Sequence, residues 1–433
     1  MFNLRIGKHY NGWWTMTKAA SLTRVAPDYK PVGEYMPAGW IQWPDNPDYS
    51  FQFMRILGAA QEGASAISEC FLAGTRITPG DDESWYREWT AMGHVNKKRA
   101  EQAIAQHHIN TARMNWLRAA NYFRCAEFFL HHDDPRRLEL LDLLEGCSQE
   151  YMKRMSPAGE VVKVPYENGA HLDAYFLRAP YELEKQPTVI CFGGLDEFKD
   201  ELLHEIPKHA FPRGMSVLLV DLPGQGATLR RQKLTVRVDT EVPVSACVDY
   251  LLSRADVDPD KIALYGASLG GYYAPRAASF EHRLKAVVSD GAIWDLQRSV
   301  NTTGYDPGRI AIRHLHWVLG IEGAGTQEGF KAIVEALGQF RLEGVQDKIQ
   351  CPYLIVEGEC DFAGFEFAVE SYEYSKKHGL DVTFKEFTAE ETGAAHCQID
   401  NPTLGQEFIC DWLADKLGID QRQLPAPLQK PWV

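Results

Sequence analysis

The feature that most limits how this chain can fold is a series of short apolar runs separated by helical stretches. The runs are Thr188 to Phe192, Met215 to Val220, Lys261 to Tyr265, Leu284 to Ser289, Tyr353 to Glu357 and Val382 to Phe387. They are continuous rather than alternating, which marks strands buried on both faces. Helices between such strands imply a mostly parallel, doubly wound α/β sheet covered on both faces. Ahead of them, Val161 to Pro165 and His171 to Leu177 flank Glu167-Asn168-Gly169, the pattern of a hairpin with an Asn-Gly turn. The interval 293–346 is too long for a simple crossover. Its Trp294, Leu315, Trp317, Phe330 and Leu337 predict a helical insertion over the sheet.

Residues 1–155 read as a separate helical N-terminal domain and 156–433 as the α/β core. The opening stretch to Pro47, rich in Trp, Pro and Gly, reads as extended chain lying over another surface. Asp81 or Asp82 is placed to cap a helix carrying Trp85, Trp89 and Met92 at helical spacing. A single long helix is expected over Ala103 to Leu130, broken by Asp133, Asp134 and Pro135, and another over Arg136 to Met155.

The chain has 433 residues, a formal net charge of -14, 45% hydrophobic and 24% charged residues. These values suit a folded chain and argue against a nucleic-acid partner, whose phosphates an acidic surface repels. No apolar run approaches the roughly 20 residues of a membrane helix, and Met1 to Tyr10 lacks a signal-peptide core. Nine cysteines without a C-x-x-C pair read as reduced thiols, hence a cytoplasmic protein. His107-His108, His131-His132 and His314-x-His316 lack an evident third ligand, so no metal is expected, nor any other cofactor.

Chemistry concentrates at Gly266-Ala-Ser268-Leu-Gly270-Gly271, a G-x-S-x-G between a strand and a helix. A sharp strand-to-helix turn holds the serine strained and exposed over a helix N-terminus, which favours a developing oxyanion. A serine nucleophile needs a base, because its hydroxyl is weakly nucleophilic at neutral pH. His396, in a loop of small residues after the last strand, is the choice. His378 reads as a solvated helix end. Asp361, just past the Tyr353 to Glu357 strand and Gly358, is the acid that orients the base, with Asp290 as rival and Glu359 as a loop residue. The oxyanion donors are expected to be the N–H of Leu269 and that of Leu195 in Gly193-Gly194-Leu195-Asp196, with Gly194 as the alternative. Asp196 is read as orienting that loop or a substrate group. Asp221-Leu-Pro223-Gly224-Gln225-Gly226 reads as a structural turn, because no Lys-Ser/Thr follows to make a phosphate loop.

These motifs resemble the α/β-hydrolase superfamily. Asp82-Glu83-Ser84-Trp85-x-x-Glu88-Trp89, Trp116-Leu-Arg118-Ala-Ala-Asn121-Tyr122-Phe-Arg124, the Gly-Gly-Leu-Asp loop and Gly393-Ala-Ala-His396-Cys-Gln narrow the likeness. They resemble the subgroup of 2,6-dihydroxypseudooxynicotine hydrolase and fungal hydrolases that shorten polyketide precursors. The resemblance runs from about residue 50 onward. It implies hydrolysis of a carbon–carbon bond next to a ketone, a cleft between the N-terminal helices and the insertion, a small-molecule substrate, and a homodimer. Tyr122, Arg124 and Trp294 are the expected substrate contacts from those regions. For Arg124, a salt bridge within the helices competes with that role. A carboxylesterase is the alternative activity, a peptidase a weaker one, and a non-catalytic binding protein the most remote.

Overall fold

The computed structural model describes residues 42–302 and 309–428. Five helices precede the first strand: α1 (Pro47–Gly58), α2 (Ile67–Gly74), α3 (Asp82–Ala105), α4 (Ile109–Glu127) and α5 (Arg136–Met152). Asp81 caps α3 by accepting the N–H groups of Glu83 and Ser84. Trp85 and Trp89 are fully buried on its inner face. The single helix expected from Ala103 is a correction: the chain breaks at Gln106–His108, where His107 takes a φ of 58° and the His108 N–H closes back on the Ala103 carbonyl. The break lets α3 and α4 fold against each other, burying apolar faces that one unbroken helix would leave in water. The extended stretch read up to Pro47 lies, as far as residue 41, outside the described residues.

The sheet has eight strands in the order β1-β2-β4-β3-β5-β6-β7-β8. Its strands are β1 (Glu160–Pro165), β2 (His171–Leu177), β3 (Gln186–Phe192), β4 (Ser216–Val220), β5 (Val257–Ala267), β6 (Ala286–Asp290), β7 (Tyr353–Gly358) and β8 (Val382–Phe387). The β1–β2 and β2–β4 pairs are antiparallel, and every other pair is parallel. All the expected strands form. The hairpin turns where Asn168 and Gly169 both take positive φ, which favours Asn and Gly. Strands β3, β4, β6 and β7 are buried along their whole length, as continuous apolar runs require. β1, at one edge, alternates between exposed and buried.

The crossovers carry α6 (Lys199–Glu205), α7 (Pro207–Ala210), α8 (Gly226–Gln232), α9 (Glu241–Leu252) and α10 (Gly270–Ala278). The insertion holds α11 (Leu296–Thr302), α12 (Ile310–Leu319) and α13 (Gln327–Leu337). α14 (Phe365–Lys377) and α15 (Pro402–Lys416) complete the chain. This is the doubly wound arrangement of an α/β-hydrolase. The apolar cluster around Trp85, Trp89 and Phe123 continues into Phe198, Ala227 and Ile310. The N-terminal helices therefore share their core with the crossovers and the insertion. No helix among the described residues is long and apolar enough to cross a membrane.

Candidate active site

The parallel strands end on one side of the sheet, and the loops leaving β3, β5, β7 and β8 meet there. After β5 the chain turns sharply into α10. Ser268 sits at the tip with a φ of 57°, left-handed backbone that only tight constraint maintains. Its N–H donates to the Asp290 carbonyl at 2.7 Å, and its carbonyl accepts from Gly271 N at 2.7 Å. Glycine is required beside it: a Cβ on Gly266 would stand 2.2 Å from the Gly270 carbonyl oxygen.

His396, in the loop after β8, brings Nε2 to 2.8 Å from Ser268 Oγ. Its Nδ1 lies 2.8 and 2.7 Å from the two Asp361 carboxylate oxygens. Asp361 follows β7 and also accepts the Ala363 N–H at 2.7 Å. Burial disfavours charge on both groups, yet each favours the charged form of the other. The His396 pKa stands above the usual histidine value and that of Asp361 below the usual carboxylate value. An imidazole so held can take the serine proton and return it.

Asp290 is turned elsewhere. Its Oδ2 accepts from Tyr265 OH at 2.8 Å, and burial pushes its carboxyl up to about 6. The buried Glu357, raised further by burial and by Asp361 beside it, accepts the Ala292 N–H at 2.8 Å. His378 caps the exposed end of α14, as expected.

The Gly193-Gly194-Leu195-Asp196 loop leaves β3 against Ser268. A Cβ on Gly194 would fall 2.5 Å from Ser268 Cβ and 3.0 Å from Leu269 N, so only glycine allows this approach. Among the described residues, no backbone hydrogen bond uses the N–H of Leu195 or of Leu269. Both donors are available to an oxyanion.

A cavity of about 260 Å³ opens over Ser268 and His396. α1 contributes Phe51 and Arg55, and the insertion contributes Leu296, Ile310, Ile312 and Leu315. The cavity thus lies between the N-terminal helices and the insertion. Asp196 lines it but is held by Arg55 at 3.3 Å. Burial would raise Asp196, but Arg55 and Arg124 keep it ionised, at about 2. His204 lines the same cavity, and burial lowers it to about 3, so it is neutral at physiological pH.

Three expected substrate contacts are corrected. Tyr122 lies within the helical layer, where its hydroxyl donates to Glu69 and accepts from Ala66 N, both at 2.9 Å, and its ring stacks on Trp89. Arg124 is 2% exposed, and is engaged by Glu201 at 2.7 Å and the Asp196 carbonyl at 3.0 Å. A guanidinium so committed has no face left for a ligand. Trp294 packs on Tyr374 at 5.0 Å, while its neighbours Ile293 and Leu296 line the cavity. A fourth correction concerns the histidine pairs. Asp133 does stand with His131 and His132, their ligand atoms within 4.8 Å of one another in a solvent-facing turn.

The sequence reading missed Arg55, Glu197 and Gln225. Burial pushes Glu197 up to about 7 against the pull of Arg55. A lone polar residue between the glycines of 224–226 was the one available signal, for Gln225.

Comparison with known proteins agrees with this architecture. A hydrolase of a Fusarium species, LUC6, is 32% identical over 345 residues, covering 71% of this chain and 81% of its own length. The 20-hydroxy-prefusarin hydrolase FUS2 of Gibberella moniliformis is 31% identical over the same shares. The crystal structure of 2,6-dihydroxy-pseudo-oxynicotine hydrolase superposes with a TM-score of 0.70 at 24% identity, covering 83% of this chain and 95% of that one, and so shares its fold. The model of the esterase FrsA-like family matches residues 77–304. This chain is an α/β-fold hydrolase and belongs to the FrsA-like esterase family.

Proposed function

We propose that Ser268, His396 and Asp361 form a catalytic triad that hydrolyses a carbon–carbon bond next to a ketone in a small molecule. The continuous hydrogen-bonded line from Asp361 through His396 to Ser268, facing a largely apolar cavity, carries this reading. Neutral His396 takes the Ser268 proton as Oγ bonds to the substrate carbonyl carbon. The oxyanion forms between the N–H groups of Leu195 and Leu269. On collapse the carbon–carbon bond breaks, and its electron pair leaves as an enolate or other stabilised carbanion. Protonated His396 delivers a proton to that carbon. Water, deprotonated by His396, then attacks the acyl ester and frees Ser268. Every proton and electron pair is supplied by substrate, water and the triad, so the scheme calls for no cofactor.

The family description favours a second reading, a carboxylesterase using the same groups with an alkoxide as leaving group. The two separate in one assay: wild type and Ser268→Ala, each given aryl β-diketones and p-nitrophenyl esters, with products identified by mass. Efficient Ser268-dependent diketone cleavage with slow ester turnover is the expected outcome. Fast ester turnover with intact diketones would make this an esterase. Homodimer formation and a cytoplasmic location belong to the same proposal, and sedimentation velocity tests the first.

A further inference from the structure

The loop Asp221-Leu222-Pro223-Gly224-Gln225-Gly226 has no part in the triad, yet it reaches the oxyanion loop. It follows β4 and is itself firmly held. The Asp221 carboxylate, fully buried, accepts the N–H groups of Lys199 and Ala227, both at 2.8 Å. The Gly224 N–H donates to the Leu234 carbonyl at 2.8 Å. From this frame the Gln225 side chain, 3% exposed, extends beneath the loop after β3. Its Nε2 donates to the carbonyls of Gly193 at 2.6 Å and Gly194 at 2.9 Å. Its Oε1 accepts the Leu222 N–H at 3.0 Å, which fixes which end of the amide is which.

A trans peptide points its C=O and its N–H in opposite directions. Holding the Gly193 and Gly194 carbonyls on one side therefore turns the N–H groups of Gly194 and Leu195 to the other. The loop lies against the nucleophile here: a Cβ on Gly194 would fall 2.5 Å from Ser268 Cβ and 3.0 Å from Leu269 N. The glycines make the close approach possible, but they also make the loop free to rotate. Without an anchor, the peptide between Gly194 and Leu195 can flip and present a carbonyl oxygen to the developing negative charge. We propose that Gln225 is a positioning residue of the oxyanion site, setting the direction of the Leu195 N–H without touching substrate. The inference rests on Ser268 as nucleophile and adds the reason its oxyanion site is preformed.

Gln225→Glu is the sharpest test. The carboxylate keeps the shape and can still accept from Leu222 N–H, but when ionised it offers no donor to the two carbonyls. Gln225→Leu removes both interactions and serves as the second variant. Rates are counted per folded molecule, measured by near-ultraviolet circular dichroism. Losing one oxyanion donor outright costs about 100- to 1000-fold in kcat. A donor that is present but misdirected part of the time is expected to cost about 10- to 100-fold on that scale. Inhibition by an aryl trifluoromethyl ketone, which forms a tetrahedral oxyanion on a serine, should weaken by the same factor while KM stays within about twofold. A purely structural role would move the thermal midpoint and KM but not the matched loss of kcat and of ketone inhibition. Unchanged kcat and unchanged ketone inhibition in either folded variant would overturn the inference. Wild type that turns over neither esters nor diketones and resists a fluorophosphonate would instead overturn the nucleophile itself, leaving the two failures distinct.

Discussion

The shelf of loops at the strand ends and the roof of helices above it enclose one cavity but are built differently. On the shelf, function is written in short segments. Ser268 needs Gly266 two residues before it, and Asp361 follows its strand directly. Each position is fixed by hydrogen bonds of 2.7 to 2.8 Å. In the roof, buried arginines are spent on holding the protein together, including Arg124, which was expected to meet substrate. Arg124 is consumed by Glu201, and Arg55 reaches both Asp196 and Glu201. Most of what the roof offers substrate is apolar surface from α1, α11 and α12, with Arg55 and His314 among the polar groups at the wall. A buried charge is costly unless paired, so an arginine deep in a helical layer is more often a clamp than a ligand.

The largest effects belong on the shelf. Ser268→Ala is expected to lower kcat about a million-fold while the protein stays folded, as read by turnover and circular dichroism. Retention of even one per cent of activity would place the chemistry elsewhere. Asp361→Asn should cost about 10,000-fold, because the amide stabilises the wrong imidazole tautomer. Its pH profile sharpens the assignment. His396 must be neutral to act as base, so wild-type kcat/KM should rise with pH through a midpoint above the ordinary histidine value, where Asp361 holds it. Removing the carboxylate removes that upward pull, and the acid limb of Asp361→Asn should move to lower pH. Asp290→Asn should move the limb the same way but less, since Asp290 adds a smaller upward pull on His396 than Asp361 does. The reverse pattern would transfer the acid role to Asp290.

Roof substitutions should act on stability and affinity rather than on chemistry. Arg124→Met leaves Glu201 buried with one guanidinium fewer, and urea unfolding should show a loss of about 3 kcal/mol. Its kcat per folded molecule should remain within a few-fold of wild type. A large loss of kcat at full stability would restore Arg124 as a substrate contact. Ile312→Ala, which strips three carbons from the cavity wall, is expected to raise KM by up to about fiftyfold, at about 0.8 kcal/mol per lost CH₂, with kcat little changed.

The same contrast explains what the sequence made legible. The strands were readable because a parallel sheet buries whole apolar runs, and the proposed set of Ser268, Asp361 and His396 because each lies in a loop that follows a strand. The roof was not, since its contacts join residues far apart in the chain. Arg55 meets Asp196 across 141 positions and Tyr122 meets Glu69 across 53. Periodicity put Tyr122, Arg124 and Trp294 on helices or in the insertion but held no information on which way each would face. The break at His107 was hidden because both flanking helices carry the same apolar period. Gln225 escaped because its turn looked sufficient in itself, and its partners are carbonyls, which carry no residue identity.

The most direct test of the central claim is covalent. Purified protein would be treated with a fluorophosphonate, digested and mapped by mass spectrometry, with residual hydrolysis followed in parallel. One adduct, on the peptide containing Ser268, with activity lost in step and labelling abolished in His396→Ala, is the predicted result. Full activity with Ser268 unmodified, or an adduct on another residue that accounts for the lost activity, would contradict it.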